Sequence, residues 1–478
     1  MSTSTSTFNR ADWQQGYTSL ATESSYWIEQ VEGELPQSLQ GTLFRNGPGL
    51  LDRNGVPYGH PFDGDGMVVA VTFTGDRAHF QNRFVQTPGY LAEQRADKIL
   101  YRGVFGTQKP GGWIGNCFDL RLKNIANTNV ISQGDRLWAL WEAARPYRLD
   151  PETLETLGEE DFNGMLAAGQ TFTAHPKLDP ITGSWWGFGV QPGPRSVITL
   201  YEITQTGTLQ QHWQRRVPGF CFLHDFAFTP NYQVFLQNPV NFAPLPYLLG
   251  WRTAGECLEL KPNTPSKFLI FDRQGDLVEI ETDSCFVFHH ANAYEEGGRL
   301  IVDSVCYADY PKLEPGTDYK QVNFDQVVPG KLYRFIFDVE RRTVERQPLL
   351  LRSCEFPTVS PRSVGQPYRY AYLGMIAQEQ GNAPLQVLVK LDTQTGSVES
   401  QSFAPRGFIG EPVFVPHPES TAEDHGWVLS LVFDAARGCS KVVILDARRF
   451  GEAPVAVVYL RHHVPYGLHG NFTHRRWR

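Results

Sequence analysis

FVFHHANAYEEGGR, residues 286–299, sets two histidines, His289 and His290, between aromatic and β-branched residues and an acidic turn. In a strand, successive side chains point to opposite faces. His289 should therefore face with Val287, and His290 with Phe288. One imidazole turned into the interior needs a hydrogen-bond partner or a metal, because desolvating it alone is costly. The simplest reading is a paired structural histidine at a strand end. Whether it is more depends on where the other histidines fall.

The chain has 478 residues, a formal net charge of −8, 13% aromatic residues, 44 glycines and 33 prolines. That composition favours many short strands and turns over long helices. With no dominant Lys/Arg block, nucleic acid is excluded as a partner. The basic run His474-Arg475-Arg476-Trp477-Arg478 reads as a solvated tail. Seven cysteines are dispersed without a CxxC pair, and the N-terminus is polar. Both point to free thiols and a cytoplasmic location. No window is long and apolar enough to span a bilayer.

Strand-like runs alternate with turns along the whole chain, among them Arg136–Trp141, Ser196–Ile203, Lys267–Asp272, Leu300–Val305, Leu332–Asp338 and Trp427–Phe433. Asp63-Gly64-Asp65-Gly66 leads into Met67–Thr74, and Gly75-Asp76 turns the chain toward His79, a hairpin signal. The DGDG cluster is like a fragment of a calcium loop but lacks its later ligands. Such even spacing argues for an all-β, closed or radially repeated architecture. One domain is expected over 25–478, preceded by a partly frayed segment over 1–24. The apolar run Phe242–Trp251 is too short and Pro-rich to span a bilayer. It should be buried, or meet lipid or a partner.

Three further histidines have similar settings: His175 in TFTAHP, His224 in FCFLHDF and His469 in YGLHG. If 220–226 is a strand, His224 stands in an aromatic row with Phe220, Phe222 and Phe226. These histidines and His289 are 49, 65 and 180 residues apart, so no local metal motif exists. Ligands so dispersed meet most easily near the axis of a radial fold.

At these motifs the chain resembles the carotenoid cleavage oxygenases, nearest to their cyanobacterial apocarotenoid-cleaving branch. GTLFRNGPG (41–49), HPFDGDGM (60–67), FDLRLKNIANTN (118–129), FHHANAYEE (288–296), CEFP (354–357), GEPVFVP (410–416) and LHG (468–470) carry the likeness. The resemblance implies a seven-bladed β-propeller with a dome of loops and short helices. It implies a ferrous iron, Fe(2+), on His175, His224, His289 and His469, backed by Glu142, Glu355 and Glu411. It places Thr128 beside an open position on the metal. It implies a substrate tunnel through Phe62, Trp141, Phe222, Phe288, Tyr307 and Phe356. The implied reaction is O2-dependent cleavage of a β-apocarotenal or its alcohol at the 15,15′ bond, giving retinal and a shorter dialdehyde. A membrane-facing patch of Trp113, Phe242, Leu245, Leu248, Leu249 and Trp251 would admit that lipophilic substrate from a peripheral membrane surface. No obligatory protein partner is expected. The rival readings are a stilbene-cleaving or different-position oxygenase, a calcium-dependent propeller hydrolase, and an inert carotenoid carrier.

Overall fold

Phe286–Glu296 is a strand and returns as Arg299–Tyr307, with Glu296 paired to Arg299. Gly297 and Gly298 form the two-residue turn at φ 57° and 75°, a left-handed pair that glycine adopts without a Cβ penalty. The computed structural model describes residues 7–261 and 263–478. Most other expected strands form within one or two residues of their reading, including Arg136–Leu140, Arg195–Ile203, Ser266–Asp272, Lys331–Asp338 and Gly426–Asp434.

Seven sheets of four to six strands are arranged as blades. The first blade closes the ring. Gly470–Thr473 pairs with Gln40–Leu50, so the two ends of the chain share one sheet. Contact at this seam is close. A Cβ on Gly470 would lie 2.0 Å from the Phe44 carbonyl oxygen, so a larger residue would separate the strands. Seven apolar clusters lie between neighbouring blades. For example, Trp186, Phe188 and Leu200 of the third blade pack against Phe226, Phe235 and Phe271 of the fourth. The core is thus distributed around the axis, which is left free for polar side chains.

The structure corrects three expectations. Residues 220–226 are irregular, and only Ala227–Phe228 is strand, so Phe220, Phe222, His224 and Phe226 do not share a pleated face. Alternation fails at Val287–His290, where the pairing register shifts. The C-terminal run is anchored as well as solvated: the Trp477 N–H donates to the Thr42 hydroxyl at 3.1 Å. The frayed start expected for 1–24 falls partly on residues outside the described ones. From residue 7 onward the segment is packed: Asn9 caps Arg10–Gln15, and Trp13 is buried against Phe408 and Phe433.

Asp63 and Asp65 serve the fold and are not calcium ligands. Asp63 accepts four backbone N–H groups from Val104 to Thr107 at 2.8–3.0 Å. Asp65 is held by Arg53 at 2.6 Å and Lys123 at 2.8 Å.

Candidate metal centre and cavity

Each blade sends one polar side chain to the axis. His469 immediately precedes the closing strand of the first blade, and Glu142 follows Arg136–Leu140 of the second. His175 precedes the inner strand of the third blade, and His224 that of the fourth. His289 lies within the inner strand of the fifth, and Glu355 within that of the sixth. Glu411 lies between Gly407–Ile409 and Val413–Pro416 of the seventh.

The four imidazoles converge, with one ring nitrogen from each within 4.8 Å of the others. His175 Nε2 is 2.9 Å from His224 Nε2, and His289 Nε2 is buried without a hydrogen-bond partner. Imidazole nitrogens about 2.1 Å from a shared ion would lie about 3 Å apart at right angles and about 4 Å apart when opposed. The donor set therefore fits a metal, and an orphaned buried nitrogen is what such an ion would satisfy.

Glutamates fix the rings from behind. His224 Nδ1 lies 2.8 Å from Glu142, His289 Nδ1 2.6 Å from Glu355, and His469 Nδ1 2.7 Å from Glu411. With Nδ1–H donating to a carboxylate, the Nε2 lone pair is left for the metal. His175 has no glutamate partner among the described residues. The glutamates are themselves held. The Tyr307 hydroxyl donates to Glu355 at 2.6 Å, and the Arg45 guanidinium pairs with Glu411. Arg45 also donates to the Leu468 carbonyl at 2.7 Å, tying the last ligand loop to the first blade. Its role was missed in the sequence, although it stands in the quoted GTLFRNGPG, because nothing local pairs it with Glu411.

The electrostatics follow from this packing. Burial pushes the Glu142, Glu355 and Glu411 carboxyls up, but their histidine partners more than offset it. All three end below the ordinary range, Glu411 at about 2 with further help from Arg45. Burial and the neighbouring imidazoles hold His175 well below its usual value. Burial lowers His289 too, yet Glu355 more than compensates, so it is raised. Charged carboxylates behind the ligands and a neutral His175 are forms suited to binding a metal.

A cavity of about 370 Å³ adjoins His224, His289 and His469. All seven expected positions line it: Phe62, Thr128, Trp141, Phe222, Phe288, Tyr307 and Phe356. The register shift at 287–290 explains how Phe288 and His289 both reach it. His290 does not; its Nδ1 pairs with the Ser304 hydroxyl at 2.7 Å. Phe105, Tyr310 and Phe324 also line the cavity and were not foreseen, because their segments meet it only through tertiary packing. Phe356 has φ 55° and precedes a proline, a strained conformation for an aromatic residue. Its ring lies 5.9 Å from that of His289 and 5.4 Å from that of His469. A second cavity, of about 660 Å³, reaches His175, His289 and His469 past Lys177, Asp225 and His290.

The expected apolar patch divides. Trp113, Leu245 and Trp251 are 55–61% exposed. Phe242, Leu248 and Leu249 are only partly exposed, and Phe242 stacks on Phe220 at 5.6 Å. Ile114, Phe118 and Leu120 extend the exposed surface. The two segments abut, since the Phe118 N–H donates to the Leu248 carbonyl at 2.8 Å. Buried Arg102 clamps them by donating to the carbonyls of Asn116, Asp119, Tyr247 and Arg252 at 2.7–3.3 Å. No helix among the described residues is long and apolar enough to cross a membrane.

Comparison with known proteins gives a consistent result. Residues 17–474 match the retinal pigment epithelial membrane protein family. The chain is 48% identical to apocarotenoid-15,15′-oxygenase of Synechocystis sp., covering 98% of this chain and 97% of that protein. It is 30% identical to resveratrol cleavage oxygenase 1 of Aspergillus fumigatus, over 94% and 92% of the two chains. The crystal structure of cobalt-substituted Synechocystis apocarotenoid oxygenase superposes with a TM-score of 0.96 at 48% identity, over 98% of this chain and 99% of that one.

Proposed function

The chain belongs to the carotenoid cleavage oxygenase family, and from that premise we propose that it cleaves β-apocarotenals and the corresponding alcohols at the 15,15′ double bond. The C=C bond and one O2 are converted to two carbonyl groups, yielding retinal and, from the aldehyde, a shorter dialdehyde or, from the alcohol, a shorter hydroxy-aldehyde. The observation that carries this reading is the four-histidine cluster opening onto an aromatic-lined cavity. It is supported by the 48% identity to a relative named for that reaction.

His175, His224, His289 and His469 would hold a ferrous ion, and the chemistry it supplies when bound is activation of O2. A relative has been crystallised with cobalt substituted, which supports a metal centre of this kind. Glu142, Glu355 and Glu411 hold the Nδ1 protons of their histidines, fix the ring planes and partly offset the metal charge. Thr128 lines the cavity beside this group, donates to Asn127 at 3.2 Å and would narrow the approach to a metal held there. Phe62, Trp141, Phe222, Phe288, Tyr307 and Phe356 grip the polyene by shape and apolar burial, since its scissile bond offers no polar handle. Their ring faces also attract positive charge developing on the polyene.

Trp113, Ile114, Phe118, Leu120, Leu245 and Trp251 form the surface that docks on a membrane leaflet, where a lipophilic substrate is concentrated. The deciding experiment supplies β-apo-8′-carotenal in micelles to Fe(II)-loaded protein under air, with products identified by LC-MS. Retinal as the dominant product is expected. A different aldehyde would move the cleavage site, and no cleavage with iron bound would overturn the reading.

A further inference from the structure

Lys312 lines the cavity that reaches His224, His289 and His469. Apart from the histidines, it is the one basic side chain among the described residues that do so. Its Nζ is 3.5 Å from the Leu258 carbonyl, too long for a good hydrogen bond. Among the described residues no carboxylate forms an ion pair with it. The other charged residues lining the cavity are engaged elsewhere: Glu142 and Glu355 with their histidines, and Glu256 with the Thr253 N–H at 2.7 Å and hydroxyl at 3.0 Å. An ammonium carries three donors, so Lys312 has donor capacity to spare beside an aromatic-walled space.

We propose that Lys312 is the polar anchor for the oxygenated end of the substrate, donating a hydrogen bond to its terminal carbonyl or hydroxyl oxygen. This rests on the reading of the cavity as a polyene site. A β-apocarotenal is hydrocarbon except for that one oxygen. Burying the oxygen unpaired is costly, and a charge-assisted hydrogen bond removes the cost. Lys312 would thereby set the direction in which the polyene enters and how far it slides past the metal. It is a specificity-determining residue that stays clear of the reacting bond.

The test compares wild type, Lys312→Met and Lys312→Arg on three ligands with the same polyene: the aldehyde, the alcohol and a hydrocarbon ending in methyl. Binding is read by quenching of tryptophan fluorescence in metal-free protein, and turnover in the iron-loaded enzyme. Lys312→Met should weaken binding of aldehyde and alcohol, and raise their KM, by about tenfold, the size expected for a hydrogen bond to a charged group. Its kcat should stay within about twofold, hydrocarbon binding should be unchanged, and Lys312→Arg should restore the preference. Equal weakening for all three ligands, or none for the aldehyde, would overturn the anchor. Failure of wild type to bind any of the polyenes would instead sink the reading of the cavity.

Discussion

His289 Nδ1 and Glu355 Oε2 meet at 2.6 Å across the boundary between the fifth and sixth blades. The contact joins a residue that bears on the proposed metal to one that never touches it. Glu355 is held in turn by Tyr307. Glu355→Gln should therefore leave the fold intact and lower metal affinity or turnover by about 10–100-fold. His289→Ala should abolish metal retention. Metal content by mass spectrometry after dialysis, read beside turnover, separates the two; full iron content in His289→Ala would contradict the four-histidine centre.

His60 should make the fold sensitive to acid. Burial lowers it to about 4, against a smaller upward pull from Asp63, and its Nδ1 accepts the Phe62 N–H at 3.1 Å. Unfolded, the ring takes up its proton near pH 6.5. Between about 6.5 and 4 the unfolded chain binds the extra proton. The contribution of a neutral His60 is thus complete above about 6.5 and lost as the pH falls toward about 4. His60→Gln keeps an acceptor but cannot titrate. Its Tm should fall less steeply than that of wild type across that window; parallel curves would rule the assignment out.

The two kinds of residue in the apolar patch should respond differently. Leu245→Glu with Trp251→Glu places charge on exposed positions and should cut partition onto liposomes, leaving Tm and micellar turnover close to wild type. Phe242→Asp removes a ring stacked on Phe220 and should destabilise by about 3 kcal/mol or more through lost packing. Sedimentation with vesicles and thermal denaturation report the two effects separately.

Phe356 should invert the usual order of small residues. Alanine is normally better tolerated than glycine, but at φ 55° a Cβ costs about 1–2 kcal/mol. Phe356→Gly should therefore be as stable as Phe356→Ala, or more stable by about 1 kcal/mol, in denaturant unfolding. A clearly less stable glycine variant would show that the backbone relaxes at this position.

Much of this was legible in the sequence because β-structure declares itself locally. Leu385–Leu391 and Lys441–Asp446 could be read from branched residues bounded by turns, and they form as Leu385–Asp392 and Cys439–Asp446. The histidine set was legible only through the family likeness, since 180 residues separate His289 from His469. What escaped were features decided by tertiary contact. The FCFLHDF stretch has the composition of a strand, yet its backbone is irregular where it delivers His224. The alternation rule failed at His289 because a register shift intervenes. Phe242 and Leu245 are alike as sequence, and only the tertiary stacking of Phe220 on Phe242 sets them apart.

The ring closes with the strand that follows His469, and that order has a temporal consequence. A chain emerging from the ribosome presents His175, His224 and His289 long before the fourth imidazole exists. Until Gly470–Thr473 docks beside Gln40–Leu50, Arg45 and Glu411 have no final loop to hold. The four-imidazole group is therefore complete only once the closing strand has docked, and a chain stalled anywhere upstream of residue 469 lacks the fourth donor.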